Sequence, residues 1–331
     1  MRKRSVGASL LATVPLILLA ATLIFWIITA MSLRIGGALN VTASQEAIRR
    51  TVDDIVGSLK DGRTEQADAL FTSWVRVAGG SSGVYIALAS EITKAGRPAD
   101  TVRYLTEATK NNEINWDPML WHTLAQAQGK VNDTSQKALS EAEAERRAEA
   151  FLKTGGPKAT NGKSDTQDRI GRLNQVAEYY SAVKKEPARG IALLEEALRL
   201  EENALTLNDL GYNLADRGTT DEEFTRAVAL TKKAVALAPG NPLIMDSYGW
   251  ALFKKNDLAG ARRILRETVD AAPMVSETHY HLGVVYAQLG LTTDAAREFD
   301  RALVLDPENE DVLQAKKRLH LPPGEGVLEK A

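Results

Sequence analysis

The chain has 331 residues, 44% of them apolar, and its 41 Lys and Arg against 43 Asp and Glu leave a formal charge of −2. With no basic surplus, phosphate-driven binding of nucleic acid is a poor reading. The absence of cysteine removes disulfides, thiolate nucleophiles and Cys-ligated zinc together, and it leaves the compartment open. A chain of this length supports one elongated domain or two smaller ones.

The first element is apolar. After "MRKR", no charged residue occurs from Ser5 to Leu33. As helix this stretch measures roughly 43 Å, against roughly 30 Å of bilayer hydrocarbon, so residues 5–33 are expected to span a membrane, with Pro15 kinking the span at most. The rival is a cleaved signal peptide, whose apolar region runs about 7–15 residues to an A-x-A-like site. The end here, Ile28-Thr29-Ala30-Met31, matches such a site poorly. Arg2, Lys3 and Arg4 precede the span and Arg34 alone follows closely, which holds the N-terminus in the cytoplasm and sends the rest across, into the periplasm for a bacterial inner membrane. The alternative topology keeps the C-terminal part cytoplasmic. Residues 1–34 are thus the basic tip and anchor, and 35–83 a juxtamembrane helical region and loop.

That loop contains "GGSSG", Gly79 to Gly83, which fits G-x-S-x-G with Ser81 as nucleophile and "WVRVA" before it as a candidate strand. A nucleophile elbow needs a parallel sheet beneath it and triad partners later in the chain. No alternating strands are visible, so a loop between helices is the preferred reading and a serine hydrolase the least favoured function. Residues 84–153 read as divergent helical hairpins. Gly96 and Ala108 stand where the last hairpin has Gly290 and Ala302, and "WDPMLWHTLAQAQGK" opens the next first helix. Residues 154–168 form a polar linker. Its "GGPKATNGKS" imitates a phosphate loop, but that loop needs four residues between its glycines, and Gly156 to Gly162 leaves five.

From residue 169 to 320 a period organises the chain. Gly249 to Gly283, Ala261 to Ala295 and Pro273 to Pro307 are each 34 residues apart, and Pro239 to Pro273 repeats the step. Gly211 to Gly249 is 38, which places four extra residues in "ADRGTTDEEF", between the two helices of that unit. Small residues let antiparallel helices approach closely, and Pro ends the second helix of each unit. His279, Leu282-Gly283, Tyr286, Ala295, Phe299, Ala302 and Pro307 mark the last unit; Met245, Tyr248-Gly249, Leu252, Ala261, Leu265, Thr268 and Pro273 mark the one before. With these residues the chain resembles the tetratricopeptide repeat (TPR) family, as a bacterial-type protein with an N-terminal anchor. A weaker unit lies upstream in "NQVAEYYSAVKKEPARGIALLEEALRLEEN", with Ala197 at the small position. "EDVLQAKKRLHLPPG" supplies a capping helix before the tail, 321–331.

The resemblance implies an all-α fold: a transmembrane helix, then a right-handed α-solenoid of helical hairpins. It also implies that the first helices of successive units line a concave groove that binds a protein or peptide. Carried onto this sequence, the groove positions are Asn208, Asp209, Tyr212 and Asp216, then Asp246, Trp250, Phe253 and Lys254, then Tyr280, His281 and Val284. Trp250 is the expected anchor, since buried aromatics carry much of the energy of such interfaces; the alternative is that it packs inside the protein. Asp209, Asp216 and Asp246 against Lys254 argue against the family's clamp for a terminal carboxylate and toward a basic or aromatic ligand.

The four histidines do not form a metal-ligating set. His279 and His281 flank Tyr280, but on a helix they point roughly 160° apart and share no ligand. In the repeat register His279 faces inward, while Tyr280 and His281 turn toward the groove. His122 and His320 are isolated, and the carboxylates fall on helix faces among Lys and Arg. No cofactor, metal, nucleic acid or small-molecule substrate is expected. The reading is a non-catalytic, membrane-anchored scaffold aiding assembly, folding or secretion of envelope proteins; the alternative is a constitutive subunit of a membrane complex.

Overall fold

The computed structural model describes residues 41–77, 81–156 and 165–319. The expected anchor over residues 5–33 and the tail 321–331 lie outside the described residues. Within them no helix is long and apolar enough to cross a membrane, and there is no strand.

Helices account for nearly all of the described chain. In order they are α1 (Val41–Lys60), α2 (Thr64–Val77), α3 (Ser82–Lys94), α4 (Pro98–Ala108), α5 (Pro118–Lys130), α6 (Thr134–Thr154) and α7 (Asp165–Glu178), the last running into a π turn, Tyr179–Val183. There follow α8 (Pro187–Leu200), α9 (Ala204–Arg217), α10 (Asp221–Leu237), α11 (Pro242–Lys254), α12 (Leu258–Ala271), α13 (Ser276–Gln288), α14 (Thr292–Leu305) and α15 (Glu310–Arg318). Each odd-numbered helix up to α13 packs against its successor as a hairpin, and successive odd-numbered helices pack on one another, α9 on α11 most extensively. Among the described residues the result is an all-helical solenoid of seven hairpins closed by α15.

Local chemistry sets the helix ends. Asp117, Asn203, Asn241 and Asn309 cap first helices by accepting from backbone N–H groups of the opening turn, and Pro98, Pro118, Pro187 and Pro242 occupy first positions where no N–H is needed. The turn inside most hairpins needs a left-handed residue. Gly96 and Gly290 supply it at φ +81° and +75°, while Asn132, Lys185 and Asn256 adopt the same conformation with a side chain. Between paired helices the small residues are buried: Ala197, Ala227, Ala261, Ala295 and Ala302 have no exposed surface. A Cβ on Gly283 would lie 2.6 Å from the ring of Phe299, so the hairpin α13–α14 closes only around glycine.

Two sequence expectations are corrected, and the less favoured strand reading before Ser81 is not met. The four extra residues of "ADRGTTDEEF" mainly lengthen α10, which has 17 residues against 14 in α12 and α14. A capping box between Thr220 and Glu223 starts that helix early. The expected linker 154–168 overlaps helix at both ends: Thr154 ends α6, and α7 begins at Asp165. The segment before Ser81 is helical through Val77 and not a strand, and Ser81 is an exposed residue at the start of α3. The region read as juxtamembrane contains a further hairpin, α1–α2, whose Ile55, Leu59 and Phe71 are buried in the common core.

Candidate partner-binding groove

The eleven positions carried over from the repeat register lie on three neighbouring first helices, α9, α11 and α13, and the structure brings them together. Trp250 is the hub. Its ring stacks on His281 with centroids 4.2 Å apart and 18° between planes, and on Phe253 at 4.9 Å and 23°. Tyr280 approaches Trp250 at 6.4 Å, and Tyr212 approaches His281 at 6.4 Å. Lys254 Nζ stands 5.4 Å from the Trp250 centroid and 5.9 Å from that of Phe224, within cation–π range, and donates to the Asp216 carbonyl at 3.4 Å.

A polar ladder runs across these helices. Asn174 of α7 donates to Asp209 at 3.1 Å and to Thr206 at 3.1 Å. Asn208 donates to Asp209 at 3.3 Å. His281 Nδ1 donates to Asp246 Oδ2 at 2.8 Å, and its Nε2 lies 3.5 Å from Glu277 Oε1. The Tyr212 hydroxyl donates to Glu277 Oε1 at 3.1 Å, joining α9 to α13 across the intervening α11. The curvature of the solenoid is therefore tight enough for alternate first helices to touch.

The register positions divide into a floor and a rim. Asn208, Asp246, Trp250 and His281 are buried, with Trp250 6% and His281 1% exposed. Asp209, Tyr212, Asp216, Phe253, Lys254, Tyr280 and Val284 are partly exposed. Two expectations change accordingly. His281 does not stand free for a partner, because both ring nitrogens face carboxylates inside the wall. Trp250 packs within the protein, as the alternative reading had it. The reason is common to both: at a concave surface, adjacent first helices converge and cover one another's central residues. His279 is internal as expected, bridging Glu298 at 2.6 Å and the Pro273 carbonyl at 3.0 Å inside the last hairpin.

Two groove residues escaped the sequence reading. Glu277 sits four residues before His281, on the same helix face, and Asp311 of α15 stands one 34-residue step beyond Glu277. Extending the register into the capping helix would have found Asp311. Both join an acidic zone with Asp216, Asp246, Asp209 and Glu178, whose charges act on one another.

Burial raises the Asp209 carboxyl to about 8; the charge of Glu178 adds to this, and hydrogen bonds from Asn208 and Asn174 oppose it. Burial also lifts Glu277 to about 7, with Asp246 and Asp216 adding to the rise while His281 and Tyr212 resist it. For His281 burial pulls downward, but Asp246, Glu277 and Asp216 outweigh it and favour the imidazolium. Asp311 is raised by burial and by Asp216. The zone holds more carboxyls than cations and stores protons near neutrality. Among the described residues no group of three or more His, Cys, Asp or Glu is arranged to hold a metal ion.

Residues 249–310 match the tetratricopeptide repeat family model. The chain is 37% identical over 110 residues to the TPR repeat-containing protein PA4667 of Pseudomonas aeruginosa, across 32% of this chain. It is 30% identical over 104 residues to the Hsp70-Hsp90 organizing protein of Triticum aestivum, across 30% of this chain. The chain spans 18% of the length of each of these relatives. Among solved structures it is similar to YrrB, described as a TPR protein with an unusual peptide-binding site, at 20% identity and a TM-score of 0.36 over 64% of this chain and 97% of that one. It is also similar to PilW, described as a type IV pilus biogenesis factor, at 14% identity and 0.42 over 71% and 97%. The family match and the two relatives support tetratricopeptide repeats in this chain, with residues 249–310 carrying the family's pattern directly.

Proposed function

We propose that the protein is a non-catalytic scaffold that receives a protein or peptide partner on the concave face of its first helices and is held at a membrane by residues 5–33, with the solenoid outside the cytoplasm. Tetratricopeptide repeats are protein-interaction modules, and the name of the wheat relative describes a protein that organises others. The observation that carries the reading is the rim of partly exposed aromatic and charged side chains, Tyr212, Phe253, Lys254 and Tyr280 with Asp216 and Glu277, gathered on one face from three hairpins. Aromatic and mainly acidic contacts presented together on a pre-formed surface suit an extended peptide. The span Ser5–Leu33 supports the tether by length and composition, and Arg2, Lys3 and Arg4 support its orientation.

Photo-crosslinking in native membranes tests this. A benzoylphenylalanine at Val284 or Lys254 is expected to capture a discrete partner, and one at Arg262 or Glu267, exposed on α12, is expected to capture none. Equal capture from both faces would overturn the groove assignment. Protease added to intact spheroplasts is expected to digest the solenoid, and full protection there would overturn the topology. Stoichiometric co-purification through salt washes would favour the constitutive-subunit alternative.

A further inference from the structure

The floor of the groove contains polar atoms that its own side chains leave unused. Asp246 gives one carboxylate oxygen to His281, and its other, Oδ1, is buried and makes no hydrogen bond within the described residues. The Asn208 carbonyl Oδ1 is likewise buried without a partner. Asn208 and Asp246 occupy equivalent places on α9 and α11, each three residues before the glycine of its first helix, Gly211 or Gly249. Two buried acceptors at equivalent places on packed helices, one of them on a carboxylate, cost stability unless something donates to them. Trp250 Nε1 is also unpartnered, one helical turn from Asp246.

The surroundings favour a cation as that donor. Above the floor stand Glu277 and Asp216, partly exposed, with Asp311 facing them from α15. The walls are aromatic: Trp250, Phe253, Tyr280 and Tyr212. The protein already places two cations of its own here: the His281 imidazolium lies between Asp246 and Glu277, and Lys254 lies over Trp250 and Phe224 and donates to a main-chain carbonyl at 3.4 Å, yet the carboxyls still outnumber them. A planar guanidinium has five donors for separated acceptors and stacks on aromatic faces, which a compact ammonium does less well.

We propose that the cage between α9, α11 and α13 is a subsite for one arginine side chain of the bound peptide, its guanidinium received by Asp246, Asn208 and Glu277 and its stem laid along Trp250 and Phe253 in the place toward which Lys254 now leans. The assignment rests on the groove being the partner-binding face. Entry requires Lys254 to swing outward and the Tyr212–Glu277 bridge to part. Lys254, Tyr212 and Glu277 are partly exposed, so both contacts lie at the solvent side of the buried floor.

The test uses the full chain in detergent, labelled with 5-fluorotryptophan and followed by fluorine NMR. The Trp250 resonance is identified by its loss in Trp250→Phe. N-acetyl-arginine methylamide is expected to shift that resonance saturably, whereas the neutral isostere N-acetyl-citrulline methylamide leaves it in place. In Asp246→Asn, and separately in Glu277→Gln, half-saturation is expected to need about tenfold more arginine probe, with circular dichroism showing both variants folded. At pH 7 the binding heat is expected to vary with the ionisation enthalpy of the buffer, because the incoming charge expels a proton from the zone around Glu277.

Equal responses to the two probes would overturn the proposal, as would an equal response to N-acetyl-lysine methylamide or an unchanged response in both variants. A Trp250 resonance that ignores the arginine probe altogether would mean that a buried water joins Asp246 Oδ1 and Trp250 Nε1, and would overturn it too. If crosslinking from Val284 captures a partner while the probe fails, the groove stands and the arginine subsite falls. If neither depends on this face, both fall.

Discussion

At the residue scale, the acidic zone makes stability depend on pH with a definite sign. Asp209 is raised to about 8 and Glu277 to about 7, so between the unfolded carboxylate range and those values the folded chain binds more protons than the unfolded one. Stability contributed by the protonated forms is present at low pH and is lost as pH rises through the folded values. His281 acts in the same direction, since its raised pKa gives stability that is complete below the unfolded imidazole value and lost above the folded one. The denaturant midpoint of the C-terminal hairpins is therefore expected to be higher at pH 5 than at pH 8.5. In Asp209→Asn the slope should flatten and stability at pH 8.5 should rise, by on the order of 1–2 kcal/mol once solvent screening is allowed for. A midpoint that rises with pH would contradict the arrangement. What the sequence yielded at this scale was position without depth. The 34-residue register placed Trp250 and His281 on the first helices that carry them, but their burial depends on how far α9 and α13 converge over α11, which no local pattern encodes. The pairing of His281 with Asp246 joins residues 35 apart, and neither residue type announces it.

Elements were more legible where glycine and proline punctuate them. Gly96 and Gly290 stand at the left-handed turns of their hairpins, and Pro118 and Pro242 open first helices, so these units are readable by eye. The upstream hairpins were harder because Asn132 and Lys185 take the left-handed turn without advertising it, and α7 runs into a π turn at Tyr179–Val183 that shifts the helical phase. Lys185 at φ +57° bears a steric cost that glycine would not, so Lys185→Gly is expected to stabilise hairpin α7–α8 by about 0.5–1 kcal/mol in thermal unfolding, the gain being reduced by the entropy of the freer unfolded chain. Gly283→Val should act in the opposite direction. A Cβ there meets Phe299 at 2.6 Å, and a branched side chain must push α14 away, costing about 1–3 kcal/mol and loosening α13, which carries Tyr280 and His281. Faster amide exchange in α13 than in α5 would report this. Unchanged exchange would show that the two helices are not closed around the glycine.

At the scale of the whole molecule, seven hairpins carry the chain round until its late loops meet its early ones. Lys130, at the end of α5, pairs with Glu308, between α14 and α15, at 3.3 Å and 178 positions along the chain. Asp306, in the same late loop, feels Lys94 and Glu91 at the end of α3. No motif announces this contact, because it follows from the small rotation that each hairpin adds to the last, summed along the solenoid. The pair is exposed on the Glu308 side, so its contribution to stability is small, about 0–1 kcal/mol and screened by salt. The pair joins the two ends of the concave face, so its removal tests whether charge contributes to their separation. Lys130→Glu places a like charge opposite Glu308 and beside Asp306, and is expected to leave thermal stability within about 1 kcal/mol of the parent while widening the distance between spin labels at the exposed Thr134 and Leu313. The double variant Lys130→Glu, Glu308→Lys should restore the distance, and high salt should narrow the difference between parent and single variant. A distance that ignores all three perturbations would mean that the curvature is fixed by hairpin packing alone, with the ion pair merely resting on a shape already set.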